Sequence, residues 1–311
     1  MTRPFAFFVA LCLLVGCAGQ REMLGAAMAY RGVDWPDDRV ELDVVYRAGE
    51  SAADPKAQLD LFLPAEGETG WPTLVFVHGG GWTHGDRRLG ALGIRPMQNL
   101  CRFYAARGYG VVVPSYRLQP DASWRDQVDD IAAVVAWTRE NVARHGGDPD
   151  SIVLGGHSAG AWLAARVGLG DAALAAHDTP RSALCGLVLV SGAGYDLADE
   201  ATYAAGARPE YFERRFGGED DWQARASVVT NVDVPTPPTL LLTAEGEGPT
   251  FERQSDRLFE IVSPRAPTSK RHEVPGQDHQ RILVSMSLEG DPASETALAF
   301  LDTLDCGRGA R

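Results

Sequence analysis

The stretch that most constrains the fold runs from Ser151 to Ala165 and reads SIVLGGHSAGAWLAA. An apolar run leads into Gly-Gly-His-Ser-Ala-Gly and continues directly into an alanine-rich segment of helical character. This order predicts a strand, a sharp turn and a helix, with Ser158 at the apex in the pattern Gly-x-Ser-x-Gly. A side chain at Gly156 or Gly160 would collide with the neighbouring strand and helix. The turn also places Ser158 at the N-terminus of the helix, where free N–H groups and the helix dipole favour negative charge. We therefore interpret Ser158 as a candidate nucleophile, with an ordinary turn serine as the alternative.

Strand-like and helix-like patterns alternate along most of the chain. Short apolar or alternating runs indicate strands, and apolar residues at helical spacing indicate helices between them. Because such alternation is typical of a parallel sheet, we predict an α/β fold with a mostly parallel sheet and helices on both faces. The predicted strands are 40–46, 58–63, 72–78, 110–114, 152–154, 186–190, 239–243 and 272–274, and the predicted helices are 96–107, 124–145, the segment after Ser158, 251–262 and 294–304.

The alternation breaks over residues 192–234. This interval is long, irregular in pattern and rich in aromatic residues, namely Tyr195, Tyr203, Tyr211, Phe212, Phe216 and Trp222. Long segments of this kind in compact domains are usually lids or binding loops. We predict an inserted lid at about 192–234, while a packed surface excursion is the alternative for any single aromatic residue.

The N-terminus has the pattern of a processing segment. After Arg3, the apolar run 5–15 is too short to span a bilayer. The run ends in Leu14-Val15-Gly16-Cys17, which resembles the lipobox of bacterial lipoproteins. That resemblance implies a signal peptide at 1–16, lipidation of Cys17, a tether at 17–38, a folded domain at 39–311 and an exported protein that is lipid-anchored to the cell envelope. The alternatives are secretory cleavage after a small residue such as Ala18, or an uncleaved anchor.

The net charge argues against two classes of partner, and the cysteines indicate no metal site. The formal net charge of −13 and the lack of a Lys/Arg cluster argue against nucleic acid or an anionic membrane surface. Membrane association is expected through the N-terminal lipid anchor. Three cysteines, an odd number, follow Cys17, and their spacing matches no metal site. They are Cys101, Cys185 and Cys306. Cys101 and Cys185 fit small buried hydrophobic residues, and the sequence assigns no disulfide pairing.

A serine nucleophile needs a base, and in this arrangement of strands the base comes late in the chain. The expected order is serine, acid, histidine, each on a loop after a strand. Of the seven histidines, only His272 and His279 follow the later strands. His272 lies within a predicted strand, whereas His279 follows the loop 275–278. We predict His279 as the base.

The acid is expected just after the predicted strand 239–243. Glu245, Glu247 and Asp256 are the candidates. Glu247 precedes Gly248-Pro249 and lies in the loop, while Glu245 is closer to the strand end and stays open as an alternative. A carboxylate here would accept the imidazole N–H and stabilise the imidazolium. A solvated loop carboxylate is the other interpretation of Glu247.

The developing oxyanion needs fixed hydrogen-bond donors. His78-Gly-Gly-Gly-Trp82 follows a predicted buried strand, and its glycines allow backbone N–H groups to point into a site. We predict donors at Gly80, Gly81 and Ala159, the last being the residue after the candidate nucleophile. His78 is interpreted as a structural residue that holds the loop.

Several motifs together resemble the α/β-hydrolases of the hormone-sensitive-lipase and kynurenine-formamidase-like group. The resemblance runs from about residue 57 to the C-terminal helix. It implies the α/β-hydrolase fold with a lid, and the match around Pro249 and Phe251 aligns Glu247 with the family's acid, which is more often Asp. The matching motifs are His78–Trp82 with Gly85-Asp86, Ser115-Tyr-Arg-Leu118, Gly147-Asp-Pro149, Gly156–Ala161, Gly192–Leu197 and Phe251-Glu-Arg-Gln-Ser255.

The resemblance implies a serine hydrolase that cleaves small carboxylic esters and uses no metal or organic cofactor. An arylformamidase or other amidase with the same residues is one alternative, and a catalytically idle binding protein is another. Formamidase-like relatives often carry a different residue in place of Gly81, which favours the esterase, as does export, since tryptophan metabolism is cytoplasmic. The acyl and alcohol groups of the substrate, the preference between ester and amide, and the oligomeric state are left open.

Overall fold

The computed structural model describes residues 35–47, 49, 53–90 and 95–306. The predicted signal peptide, Cys17 and nearly all of the predicted tether lie outside these residues. The end of that tether contacts the folded body, because Trp35 donates a hydrogen bond from Nε1 to the carbonyl oxygen of Leu63 at 3.3 Å. No helix in the described ranges is both long enough and apolar enough to cross a membrane.

Eight strands in the described residues form one sheet with the spatial order β1-β2-β4-β3-β5-β6-β7-β8. β1 and β2 pair antiparallel, β2 also pairs antiparallel with β4, and every other neighbouring pair is parallel. The predicted mostly parallel sheet is therefore confirmed. The strands are β1 (Val40–Val45), β2 (Gln58–Phe62), β3 (Trp71–Val77), β4 (Gly110–Pro114), β5 (Gly147–His157), β6 (Leu184–Val190), β7 (Thr239–Ala244) and β8 (Lys270–Val274).

Helices cover both faces of the sheet. The longest begins at a capping box, in which the Ser123 hydroxyl and the Asp126 carboxylate each accept a backbone N–H, and the 3₁₀ turn that follows it closes at Gly146 in the left-handed region. The helices are α1 (Pro96–Ala105), α2 (Trp124–Asn141), α3 (Ala159–Leu169), α4 (Ala172–Ala175), α5 (Glu200–Ala204), α6 (Pro209–Phe216), α7 (Trp222–Ala226), α8 (Pro249–Val262), α9 (Arg281–Ser285) and α10 (Pro292–Leu301).

The sheet separates two apolar layers. Val75 and Val77 of β3 point into the layer shared with α2 and α3, whereas Leu74 and Phe76 point into the layer shared with α1 and α10. Successive side chains of a strand face opposite sides. A strand buried on both faces therefore needs the continuous apolar run that the sequence shows at 72–78.

The central strand is longer than its apolar run. β5 begins at Gly147, five residues before Ile152, because Gly147 pairs with Trp71 at the far end of β3. A Cβ atom at Gly147 or Gly110 would lie within 2.6 Å of the Trp71 ring. These two glycines therefore leave the space that the buried indole of Trp71 occupies. Trp71 is far from either glycine in sequence.

The interval 192–234 is not irregular, which corrects the sequence interpretation. It contains three short helices, α5, α6 and α7, of five to eight residues each. Helices of one or two turns present too few residues for a helical period to be recognised, and α4 and α9 were missed for the same reason. Phe212 and Phe216 of α6 are buried and join the apolar layer around Trp162. This segment, the predicted lid, packs on the α3 side of the sheet.

The interpretation of Cys185 as a buried hydrophobic residue is wrong. Cys185, at the start of β6, forms a disulfide with Cys306 near the C-terminus, across 121 residues of sequence. Spacing alone could not assign this pair, since it depends on how the last helix packs against the sheet. Cys101 is a buried free thiol on α1, as predicted.

We expect the disulfide to contribute strongly to stability because it closes a long loop. Replacing both Cys185 and Cys306 by Ser should lower the free energy of unfolding by about 2–5 kcal/mol. The measurement is urea denaturation followed by circular dichroism, with and without reductant. Reductant should destabilise the wild-type protein and leave the double variant unaffected. An unchanged wild-type midpoint after complete reduction would contradict this assignment.

Candidate active site

Ser158 occupies a sharp turn between β5 and α3. Its backbone has φ 56° and ψ −121°, in a region that L-residues rarely adopt. A Cβ atom at Gly156 would lie 2.5 Å from the carbonyl group of Gly160, and a Cβ atom at Gly160 would lie 2.2 Å from the carbonyl oxygen of Val77. The steric need for both glycines is therefore confirmed. Because Gly156 and Gly160 lack side chains, α3 can begin in direct contact with the sheet.

Three side chains from distant loops form a continuous hydrogen-bonded line. His279 Nε2 lies 3.0 Å from Ser158 Oγ, and His279 Nδ1 lies 2.5 Å from Glu247 Oε1. Ser158 follows β5, Glu247 follows β7 and His279 follows β8. Because these strands are parallel, their carboxyl ends share one edge of the sheet, and the three residues meet there.

The Glu247 carboxylate is fixed and buried. It lies on a 3₁₀ turn, Glu245–Glu247, and its Oε2 accepts the backbone N–H of Ala244 at 2.9 Å. Its side chain is 1% exposed, compared with 28% for His279. One oxygen is thus held by the backbone while the other contacts the imidazole.

The other predicted candidates for base and acid do not contact His279 or Ser158 in this way. Glu245 accepts the backbone N–H of Gly276 at 2.8 Å, and Asp256 pairs with Arg271 at 2.7 Å. His272 lies on β8 and is exposed. Among the carboxylates considered from the sequence, Glu247 is the one in contact with the imidazole.

The glycine loop after β3 lies beside Ser158. A Cβ atom at Gly79 would be 3.1 Å from Cβ of Ser158. Gly80 and Gly81 both have positive φ, 125° and 59°, and a Cβ atom at Gly80 would lie 2.0 Å from the carbonyl oxygen of His84. Glycine is therefore required at Gly80. Ala159 is the first residue of α3, so its N–H has no acceptor within the helix.

His78 is buried beneath this loop. Its Nδ1 lies 2.7 Å from the carbonyl oxygen of Gly79, and its ring stacks on Tyr116 with centroids 4.3 Å apart. The Tyr116 hydroxyl donates to the carbonyl oxygen of His78 at 3.0 Å. Burial lowers the pKa of His78 to about 4, so the ring is neutral near pH 7. These contacts fit a residue that shapes the loop.

His157 makes a contact that sequence reasoning missed. Its Nε2 lies 2.7 Å from the carbonyl oxygen of His279. A carbonyl can only accept, so Nε2 carries the hydrogen. The pKa of His157 is lowered to about 3, mainly by burial and to a smaller extent by electrostatic repulsion from His279, so the ring is neutral. The residue before Ser158 thus ties the β5 turn to the His279 loop, and nothing in the motif itself indicates this.

A cavity of about 390 Å³ opens above Ser158 and His279. The centroid of the Phe251 ring lies 4.8 Å from that of His279, and Tyr211 and Phe212 of α6 also line the cavity. The lining is largely apolar and aromatic, and Arg208 at the start of α6 is the one arginine among the described residues that line it. The lining residues are Trp82, Ser158, Ala159, Ala193, Gly206, Ala207, Arg208, Tyr211, Phe212, Glu247, Thr250, Phe251 and His279.

Two of the sequence motifs, Gly192–Leu197 and Phe251–Ser255, contact each other. The backbone N–H of Asp196 donates to Gln254 Oε1, and Gln254 Nε2 donates to the carbonyl oxygen of Asp196, both at 2.9 Å. Asp196 also pairs with Arg257 at 3.0 Å. These bonds fix the start of the lid segment to α8. In the described ranges, no group of three or more His, Cys, Asp or Glu side chains is placed to hold a metal ion.

The family model BD-FAE matches residues 59–260, which is more than half of the chain. Among curated proteins, a probable isoprenylcysteine alpha-carbonyl methylesterase from Oryza sativa subsp. japonica is 39% identical over 111 residues, covering 36% of this chain and 24% of the relative. Esterase LipC from Mycobacterium tuberculosis is 38% identical over 98 residues, covering 32% of this chain and 23% of that protein. The matched segments thus span only about a quarter of these relatives.

Solved structures resemble this protein along most of its length. An inhibited esterase B from Lactobacillus rhamnosis superposes with a TM-score of 0.67 at 26% identity, covering 92% of this chain and 93% of that one. A hyperthermophilic esterase from the archaeon Pyrobaculum calidifontis gives a TM-score of 0.66 at 20% identity, covering 96% and 98%. The fold is that of the α/β-hydrolase esterases. Within that class, the chain belongs to the BD-FAE family.

Proposed function

We propose that this protein is a serine hydrolase that cleaves small carboxylic esters, with Ser158 as nucleophile, His279 as general base and Glu247 as the acid. The observation that carries the proposal is the line of contacts from Ser158 Oγ to His279 Nε2, at 3.0 Å, and from Nδ1 to Glu247, at 2.5 Å. Each distance is within hydrogen-bond range, and the line ends beside an open cavity.

In this mechanism His279 Nε2 takes the Ser158 proton as Oγ attacks the ester carbonyl carbon. Glu247 accepts the Nδ1–H bond and stabilises the imidazolium that forms. The imidazolium then gives its proton to the departing alkoxide, which leaves as an alcohol and yields an acyl-enzyme. Water, deprotonated by His279, attacks this acyl group, releases the carboxylic acid and restores Ser158.

The tetrahedral oxyanion would be held by backbone N–H groups of Gly80, Gly81 and Ala159. Gly79 lies against Ser158, and Ala159 is at the free N-terminus of α3. Removing one such donor typically lowers kcat by about 10²–10³-fold. Because the glycine loop is held by buried contacts around His78, these donors are oriented before substrate arrives.

Small carboxylic esters fit the cavity better than extended polar chains. Its volume is about 390 Å³, and Trp82, Tyr211, Phe212 and Phe251 supply apolar wall. The relatives that match in sequence are named as esterases, which supports ester over amide. An arylformamidase would use the same three side chains, so arylformamides belong in the substrate panel.

The proposal predicts that a fluorophosphonate probe labels the protein at Ser158 and that Ser158→Ala abolishes both labelling and ester hydrolysis. The measurement combines probe labelling with initial rates on p-nitrophenyl esters of increasing acyl length and on an arylformamide. Short acyl esters should be the best substrates. A protein that never labels would instead be an idle binding module, and a clear preference for the formamide would establish the amidase.

Glu247 and Glu245 form a matched pair for testing the acid. Glu247→Gln should lower kcat by about 10²–10⁴-fold, because an amide cannot stabilise the imidazolium or fix its tautomer. Glu245→Gln should leave kcat near the wild-type value, since that carboxylate accepts a bond from Gly276. Probe labelling of Glu247→Gln should be slow but present. The reverse result would move the acid to Glu245.

We further propose that the protein is exported and anchored to the bacterial cell envelope through lipid on Cys17. The lipobox-like Leu14–Cys17 supports this. The Cys185–Cys306 disulfide is independent support, because disulfides persist in oxidising compartments outside the cytoplasm. Removal of residues 1–16 by processing would leave the described domain on a tether of about twenty residues.

The leader offers its own control for this proposal. Cys17→Ala should release the protein from the membrane fraction, whereas Cys12→Ala, within the apolar run, should leave it membrane-bound. Fractionation and mass spectrometry of the mature N-terminus are the measurements. Retention of Cys17→Ala in membranes, with no lipid found on the wild-type N-terminus, would rule out the lipid anchor.

A further inference from the structure

Helix α6 of the predicted lid contacts the glycine loop through the guanidinium group of Arg215. Arg215 Nε donates to the carbonyl oxygen of Gly81 at 3.0 Å. Gly81 is one of the proposed oxyanion donors, and its φ of 59° lies in the left-handed region. A Cβ atom at Gly81 would lie 2.7 Å from the Tyr211 hydroxyl oxygen and 3.8 Å from Arg215 Nη2. Side chains of α6 therefore bound this part of the loop.

The Arg215 guanidinium is itself held in place. Its Nη1 donates to the carbonyl oxygen of Tyr211 at 2.8 Å, and its central carbon lies 3.5 Å above the Tyr211 ring. A planar guanidinium that stacks on an aromatic ring and forms two hydrogen bonds has little freedom left. The Gly81 carbonyl thus receives a donor of fixed direction.

Further bonds join the same two segments. Gln119 Nε2 donates to the carbonyl oxygen of Arg215 at 3.0 Å, and the backbone N–H of Gln119 donates to the carbonyl oxygen of Trp82 at 3.0 Å. The Trp82 ring packs edge-on against Phe216 with centroids 4.9 Å apart. The end of α6 and the residues Gly81 and Trp82 therefore form one connected unit.

In the part of the chain that the structure describes, no carboxylate forms an ion pair with Arg215. Among the described residues, the hydrogen-bond partners of its side chain are the carbonyl oxygens of Gly81 and Tyr211, and it makes no ion pair within 4.0 Å. Arg87, by contrast, pairs with Asp43 and Asp60. An unpaired cation beside a site where negative charge develops favours that charge, more so where water is excluded.

We propose that Arg215 is a positioning residue of the oxyanion site. It fixes the Gly81–Trp82 peptide, and through it the preceding peptide whose N–H belongs to Gly81, while its positive charge favours the oxyanion. The site is then complete only when the lid helix is docked on the glycine loop. This inference rests on the proposed ester hydrolysis and predicts an effect on the transition state rather than on ground-state binding of the ester.

The test compares Arg215→Met and Arg215→Lys with Arg214→Met. Arg214 is the adjacent residue on the same helix, and its side chain is exposed. The measurements are kcat and KM on a short p-nitrophenyl ester, and the affinity for a trifluoromethyl ketone, which forms a tetrahedral serine adduct. Arg215→Met should lower kcat by about 10–100-fold, less than loss of a direct donor, with KM changed by no more than about 2-fold. The ketone should bind more weakly by a similar factor. Arg215→Lys should recover part of kcat, and Arg214→Met should match the wild type.

Wild-type kcat in Arg215→Met would overturn the inference, as would a rise in KM at constant kcat or an equal loss in Arg214→Met. Thermal unfolding of each variant identifies a folding defect. If Arg215→Met does not fold, Arg215→Lys decides. A lysine ammonium lacks the planar fork with which Arg215 reaches both carbonyls and stacks on Tyr211, so reduced kcat at unchanged KM supports the inference and wild-type kcat contradicts it. Failure of the wild-type protein to hydrolyse esters or to label at Ser158 would instead refute the proposed function.

Discussion

The hydrogen-bonded line through His279 depends on a single arrangement, the parallel order of β5, β6, β7 and β8 in one sheet. Parallel strands bring their carboxyl ends to the same edge, so loops more than a hundred residues apart meet there. Ser158 and His279 are 121 residues apart in sequence, yet their side chains lie 3.0 Å from each other. The continuous apolar strands and the two glycines of the Ser158 turn, Gly156 and Gly160, serve this geometry because they let helices pack closely against the sheet beside the site.

Neutral, buried imidazoles surround the candidate site. Burial lowers the pKa of His157 to about 3 and that of His78 to about 4, so neither ring adds a positive charge near pH 7. An imidazolium at His157 would oppose protonation of His279, whose ring centroid is 4.8 Å away. His157 can therefore hold the His279 backbone without raising the free energy of the imidazolium that the proposed mechanism forms at His279. In the proposed mechanism, the buried carboxylate of Glu247 would then stabilise the His279 imidazolium without a competing cation at His157.

The sequence was most informative where a local pattern carries the geometry. The α/β class followed from the alternation of strands and helices, and Ser158, His279 and Glu247, chosen by motif, order and resemblance, lie in contact. Their catalytic roles stay a proposal. The sequence was silent where a feature depends on packing between distant segments: the Cys185–Cys306 disulfide, the short lid helices, and the contacts of His157 and Arg215. In each of these, neither partner indicates the other by spacing.

The lid illustrates why such contacts matter for chemistry. The length, irregular pattern and aromatic content of this segment predicted a lid or a binding loop. The structure adds polar contacts, because the same helix that supplies Tyr211 and Phe212 to the cavity wall also donates from Arg215 to the glycine loop. Movement of α6 away from the sheet would therefore break a bond to Gly81 as well as open the cavity. A segment with both connections can couple occupancy of the cavity to the orientation of the proposed oxyanion donors, a coupling that an apolar flap alone would lack.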